Sequence, residues 1–299
     1  MTRTALDGII AYPVTPFTPG GGTVDTGRLA ELTDRLVRSG CHAVAPLGST
    51  GESAYLSDHE WYAAAEAAVS AVAGRVPTVV GIAELTTRGA VERARFAERA
   101  GADVVMVLPL SYWRLDEREI VRHFTEVADA VTVPVMIYNN PATAGVDLPP
   151  ELMVRLVREV ENITMVKESS GDIQRMHRLH RLTDGALPFY NGSNPLALEA
   201  FAAGAAGWCT AAACLVPELT LELHRTVRAG DLEAARRVFY RQLPLLSFLL
   251  RGGLPTTVKA GLALAGFEAG DPRLPLLPLD AAGRAELAGL LAETAGVPA

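Results

Sequence analysis

At 299 residues and 49% apolar, the chain can bury a large core, enough for one barrel-sized domain with an extension or for two ordinary domains, which excludes a disordered sequence. Its net charge of -7 comes from acids interspersed with arginines and from no basic run, leaving no electrostatic footprint for nucleic acid. No apolar window reaches the roughly 20 residues of a membrane span, and the start MTRTALDGIIAYPV has no long apolar region or cleavage site, so a soluble cytoplasmic protein is expected.

The first apolar run, GIIAYPV (8–14), is followed by TGRLAELTDRLVRSG, whose apolar residues recur at helical spacing and which closes on glycine. The same alternation continues with CHAVAPLG (41–48) before HEWYAAAEAAVSAVAG, and PTVVGIA (77–83) before TRGAVERARFAERAG. Five more runs follow: ADVVMVLP (102–109), VPVMIYNN (133–140), ITMVKES (163–169), LPFYNG (187–192) and AAGWCT (205–210). Continuous apolar strands joined by helical crossovers predict a parallel sheet covered by helices, and eight of them match an α/β fold, the (β/α)8 TIM barrel, over residues 1–230. An open doubly wound sheet is the other arrangement the pattern allows. After residue 216 the patterning is purely helical, with more helices than a barrel needs, so a C-terminal helical extension is expected over 231–299. Cys41, Cys209 and Cys214 are odd in number, lack CxxC spacing and lie in apolar surroundings, so three buried thiols are expected and neither a disulfide framework nor a zinc site.

In such a barrel the active site forms at the C-terminal ends of the strands. The second strand ends in GSTGE (48–52), two hydroxyls and several amides between glycines, which suits a carboxylate or phosphate but is also ordinary turn chemistry. The fifth ends in YNNP, placing Tyr138 at a strand end, and the seventh in NGSN (191–194), where a ligand can approach backbone closely. The sixth carries Lys167. A lysine there either snorkels to solvent or pairs with Glu168, yet neighbouring strand residues point to opposite faces, which sets Glu168 against the second option. The chain writes 25 of its 27 basic residues as Arg, and only Lys, once desolvated, can act as an amine nucleophile. Lys167 is therefore read as a Schiff-base lysine, and Lys259, in PTTVKAGLAL, as structural or solvent-facing. His177 and His180 lie among arginines on a solvated helical face, while His42, His59 and His123 show no ligand spacing, so no metal is expected.

Together, GSTGE, YNNP and VKES, with the opening GIIAYPVTPF and the C-terminal RGGLPTTVKAGLALAG and RLPLLPL, resemble the signature of the dihydrodipicolinate synthase and N-acetylneuraminate lyase superfamily, the class I pyruvate aldolases. The resemblance covers nearly the whole chain. It implies a Schiff base from Lys167 to a 2-oxo acid, a carboxylate held by Ser49, Thr50 and Gly51, and proton relay by Tyr138. It further implies a pocket lined by Gly192 and Cys209, a supporting role for Glu52, no cofactor, and a homotetramer built as a dimer of dimers. The partners it implies are a small 2-oxo acid and an aldehyde.

Several positions depart from the lysine-pathway synthase of that superfamily. Thr143 stands where the synthase carries an arginine for the aldehyde's carboxylate, which argues against an authentic dihydrodipicolinate synthase. The loop that supplies an interfacial tyrosine reads PLSYWRL, where Ser111 aligns and Tyr112 is one residue off, leaving Tyr112 as a candidate relay. Ser169, Thr143 and Asn194 form a neutral, hydrogen-bonding outer pocket suited to a hydroxylated or uncharged partner, and Trp208 is expected to narrow it. The leading expectation is a lyase or aldolase making or breaking a carbon–carbon bond beside pyruvate. The alternatives are 4-hydroxy-tetrahydrodipicolinate synthase, a 2-oxo-sugar-acid dehydratase, a metal-dependent aldolase and a non-catalytic 2-oxo acid binding barrel.

Overall fold

The computed structural model describes residues 6–20 and 22–295; the outermost parts of the expected barrel and extension, 1–5 and 296–299, lie outside the described residues, as does residue 21. All eight expected strands form: β1 (Gly8–Ala11), β2 (Ala43–Val44), β3 (Val79–Glu84), β4 (Val104–Pro109), β5 (Val135–Asn139), β6 (Ile163–Glu168), β7 (Phe189–Asn191) and β8 (Gly207–Thr210). They are shorter than the apolar runs at β1 and β2, where Pro13 and Pro46 have no N–H to donate and the chain turns into its loops. Every pairing is parallel, in the order β2-β1-β8-β7-β6-β5-β4-β3. A parallel bridge from Val44 to Thr78 joins the two ends, so the barrel closes and the open sheet is set aside.

Helices alternate with the strands: α1 (Thr26–Arg38), α2 (Asp58–Val72), α3 (Thr87–Ala100), α4 (Glu117–Ala128), the single turn α5 (Pro141–Ala144), α6 (Pro150–Glu159), α7 (Ile173–Leu182), α8 (Ala197–Ala202) and α9 (Pro217–Arg228). Their starts follow from local chemistry. Ser57 and Asp116 each form a reciprocal capping box with a glutamate three residues on, and Asp25, Thr86 and Asp172 cap α1, α3 and α7. Between strands and helices lies an outer apolar layer that includes Val80, Val107, Ile137 and Val166; the barrel interior holds Met106, Met136, Met165 and Tyr190.

Three more helices, α10 (Leu232–Arg251), α11 (Leu254–Leu264) and α12 (Ala281–Ala295), follow the barrel as expected. Leu245, Leu249, Val258 and Leu287 from these helices share one continuous apolar cluster with barrel residues, so the extension packs on the barrel wall. No helix among the described residues is long and apolar enough to cross a membrane.

Candidate active site

Lys167 reaches the barrel interior because of a bulge. Val135 pairs with Ile163 but Met136 pairs with Met165, so Thr164 is an extra residue on β6. Ile163 packs into the outer layer, and strict alternation from there would turn Lys167 outward too. The inserted residue rephases the strand: Met165 and Lys167 face in, Val166 and Glu168 face out. Lys167 is 4% exposed and its Nζ lies between two aromatic faces, 3.8 Å from the Tyr12 ring and 3.9 Å from the Tyr138 ring. Tyr138 is the register partner of Lys167 on β5, which is why the two side chains stand side by side.

The two tyrosines differ electrostatically. Burial raises both phenols; in Tyr12 the neighbouring Cys209 adds to it and the pKa stays well above the ordinary tyrosine value. In Tyr138 burial is outweighed by the charge of Lys167 and by hydrogen bonds with Ser49, Asn140 and Lys167, leaving its pKa below the ordinary value. Asn140 Nδ2 donates to the Tyr138 oxygen at 2.9 Å, which frees the phenol proton for Ser49 Oγ at 3.3 Å. Tyr138 is thus equipped to pass a proton; Tyr12, whose hydroxyl rests on Met106 Sδ at 3.1 Å, is equipped to stay neutral.

Ser49 and Thr50 begin a 3-10 turn, Ser49–Gly51, whose first backbone bond runs from Gly51 N to Gly48 O. The amides of Ser49 and Thr50 precede that bond and need an acceptor from outside the turn. Leu47 and Glu52 bracket it at φ 61° and 54°, left-handed conformations that cost side-chain-bearing residues of order 1–3 kcal/mol each. Tertiary contacts hold them there. Glu52 Oε1 lies 2.6 Å from Lys259 Nζ on α11, and Glu52 Oε2 accepts from Arg273 N at 2.7 Å. Lys259 is 3% exposed and stacks on Phe17, so of its two expected settings the structural one holds and the solvent-facing one does not.

Opposite this turn, a Cβ on Gly192 would fall 1.7 Å from Ser169 Oγ and 2.8 Å from Lys167 Cε, so only glycine leaves room for both side chains. Ser169 Oγ is buried without a partner, as is Ser53 Oγ. Behind the wall, Glu168 accepts from Asn139 Nδ2 at 3.0 Å and Ser170 N at 2.6 Å, with Arg175 at 3.8 Å, which locks the ends of β5 and β6 and turns this carboxylate away from Lys167. These residues surround a cavity of about 620 Å³. Ser49, Thr50, Tyr138, Thr143, Lys167, Ser169, Gly192, Asn194 and Cys209 all line it.

Other expected residues fall elsewhere. Gly51 sits behind the turn with its carbonyl accepting from Thr15 Oγ1 at 2.6 Å, and Tyr112 is 88% exposed on the loop after β4, outside the cavity. Trp208 does not narrow the site: it lies beside the cavity-lining Cys209 on β8 but outside the cavity, and its indole donates to Asn194 Oδ1 at 3.2 Å. The three cysteines are buried and free, and His177 and His180 are exposed. Among the described residues no group of three or more potential ligands gathers for a metal. Tyr12 was legible only as part of a strand; its role as the second face against Lys167 depends on β1 lying across the barrel from β6.

Residues 5–294 match the Dihydrodipicolinate synthetase family. A curated 4-hydroxy-tetrahydrodipicolinate synthase from Methanopyrus kandleri is 35% identical over 91% of this chain and 90% of its own length. Among solved structures, a Pseudomonas aeruginosa protein provisionally assigned as a dihydrodipicolinate synthetase is 58% identical, with a TM-score of 0.94 over 96% of this chain and 99% of that one. The dihydrodipicolinate synthase of Agrobacterium tumefaciens is 32% identical, with a TM-score of 0.91 over 97% and 99%.

Proposed function

The chain belongs to the dihydrodipicolinate synthetase family, a family of class I Schiff-base aldolases and lyases, and from that premise we propose that it makes or cleaves a carbon–carbon bond beside pyruvate, or a related 2-oxo acid, through an imine on Lys167. The observation that carries this reading is the setting of Lys167, among the described residues the only cationic side chain on the cavity wall, buried, outside any ion pair and standing against Tyr138. Its amine attacks the keto carbon and water leaves. The amides and hydroxyls of Ser49 and Thr50 hold the carboxylate, and Tyr138 moves the proton. The protonated imine then draws electrons from the adjacent methyl carbon, giving the enamine that attacks an aldehyde; cleavage runs the same steps in reverse. Two faced aromatic rings favour a cation at that nitrogen.

Several relatives carry the name 4-hydroxy-tetrahydrodipicolinate synthase, but among the described residues no arginine lines this cavity to meet a second carboxylate, and Thr143 occupies the loop where one is expected. That favours an acceptor other than aspartate semialdehyde. A cytoplasmic location and a homotetramer, with Tyr112 exposed for a neighbouring subunit, complete the reading; light scattering tests the assembly. The central test is mass spectrometry after incubation with pyruvate and borohydride. A reduced adduct on the peptide containing Lys167, absent in Lys167→Ala, is expected. No adduct with any 2-oxo acid would sink the assignment and favour a binding barrel.

A further inference from the structure

We propose that the aldehyde partner is uncharged and carries an apolar tail, an inference that rests on the Schiff-base reading above and narrows its substrate. The cavity, at about 620 Å³, lies in the range of roughly 300–1,000 Å³ that holds a drug-sized ligand, far more than pyruvate needs. Beside Lys167 it carries the hydroxyls of Tyr138 and Ser169. Its mouth is built from Leu110, Ala142, Leu250, Leu254, Pro255 and Leu276, and Leu250 is left 52% exposed there.

Several polar side chains on the wall are already engaged. Asn140 donates to Tyr138, Thr143 Oγ1 donates to the Asn140 carbonyl at 3.3 Å, and Ser170 Oγ accepts from Asp172 N at 3.3 Å. Asn194 Oδ1 accepts from both Trp208 and Thr210. Among the described residues the one carboxylate on the wall, Glu52, is held by Lys259, and the one cation, Lys167, is consumed in the imine. The buried hydroxyls of Ser53 and Ser169 remain without partners, the second beside Lys167. Either can meet the aldehyde's own oxygen, and among the described residues no second cation lines the wall to balance an anionic tail.

In the addition direction the methyl carbon of pyruvate loses a proton to form the enamine and then bonds to the aldehyde carbon. The aldehyde oxygen takes up a proton through Tyr138 and becomes a hydroxyl. Water returns to the imine carbon, freeing the Lys167 amine and a 4-hydroxy-2-oxo acid, so the sum is pyruvate plus aldehyde.

The test starts with the pyruvate–borohydride adduct on the wild-type protein, which reads the Schiff base alone. Initial rates with pyruvate are then measured for propanal, butanal, pentanal and hexanal, and for glyceraldehyde and succinic semialdehyde. We expect kcat/KM to rise roughly fourfold per methylene, the last two substrates to fall about tenfold or more below hexanal, and the slope to flatten in Leu250→Asn with Leu276→Asn. Formation of the adduct with a flat aliphatic series, with glyceraldehyde or succinic semialdehyde preferred, or with no aldehyde consumed overturns the inference and leaves the Schiff base standing. Absence of the adduct fails both.

Discussion

Replacing Lys259 by Met should cost roughly 3–5 kcal/mol of unfolding free energy, the usual penalty for stripping one partner from a buried ion pair. The pair is close and dry: Nζ to Oε1 is 2.6 Å, with 2% and 0% of the two side chains exposed. At an effective dielectric constant of about 20, unit charges at that distance attract by about 6 kcal/mol, against a desolvation cost of several kcal/mol for each ion. The intact pair therefore comes out near balance, and burial indeed draws the Lys259 pKa below the ordinary lysine value, with Glu52 opposing. Methionine deletes the attraction and leaves Glu52 desolvated, with the Arg273 amide as its remaining donor. Glu52→Gln combined with Lys259→Met removes both charges and should recover most of the loss. Because Glu52 ends the turn that presents Ser49 and Thr50, the single variant should also weaken pyruvate binding. Urea denaturation of wild type and the two variants is the assay. A single variant within about 1 kcal/mol of wild type, or a double variant no more stable than the single, refutes the reasoning.

Gly192→Ala should abolish the Lys167 adduct while costing roughly 1–3 kcal/mol of stability, because its methyl group meets Ser169 and Lys167 head-on; an adduct yield equal to wild type contradicts this. Arg273 donates to both oxygens of Glu60, at 2.7 and 2.8 Å, and this bonding, against the opposing effect of burial, holds the carboxyl at about 2 rather than 4.5. A depressed carboxyl contributes stability that is fully present above the ordinary value and lost as pH falls through about 2. The ceiling is roughly 3 kcal/mol, and solvent screening brings it to roughly 1–2. Glu60→Gln should be less stable by that amount at neutral pH, with the gap closing in acid denaturation below the ordinary value; a constant gap fails the prediction. Burial pushes the Cys41 and Cys214 thiols up to about 12, so iodoacetamide at mildly alkaline pH should leave both unlabelled until the protein unfolds.

The strands and helices were legible because a parallel barrel buries both faces of each strand, writing it as an unbroken apolar run between amphipathic helices. The same contrast exposed Lys167: one cation in such a run stands out in a chain with only two lysines. GSTGE, YNNP and NGSN were readable as strand ends because small and hydroxylated residues interrupt apolar patterning where the chain turns. Trp208 was misplaced for the complementary reason, since a strand with apolar residues on both faces does not say which side is the interior.

Residue order alone determined the local facts: which segments are extended, which are helical, how they are capped, and that Lys167 and Glu168 oppose each other. Which of the two faces inward was decided elsewhere. It follows from the register of β6 against β5 and from the extra Thr164, a relation between chain segments that no local pattern encodes. The partners that complete the site are likewise distant in sequence: Tyr12 against Lys167 from β1, Gly192 from β7, and Lys259 and Arg273 reaching back to Glu52 from the extension. Barrel closure brings these residues together, and burying a lone amine without a carboxylate beside it requires the whole wall at once.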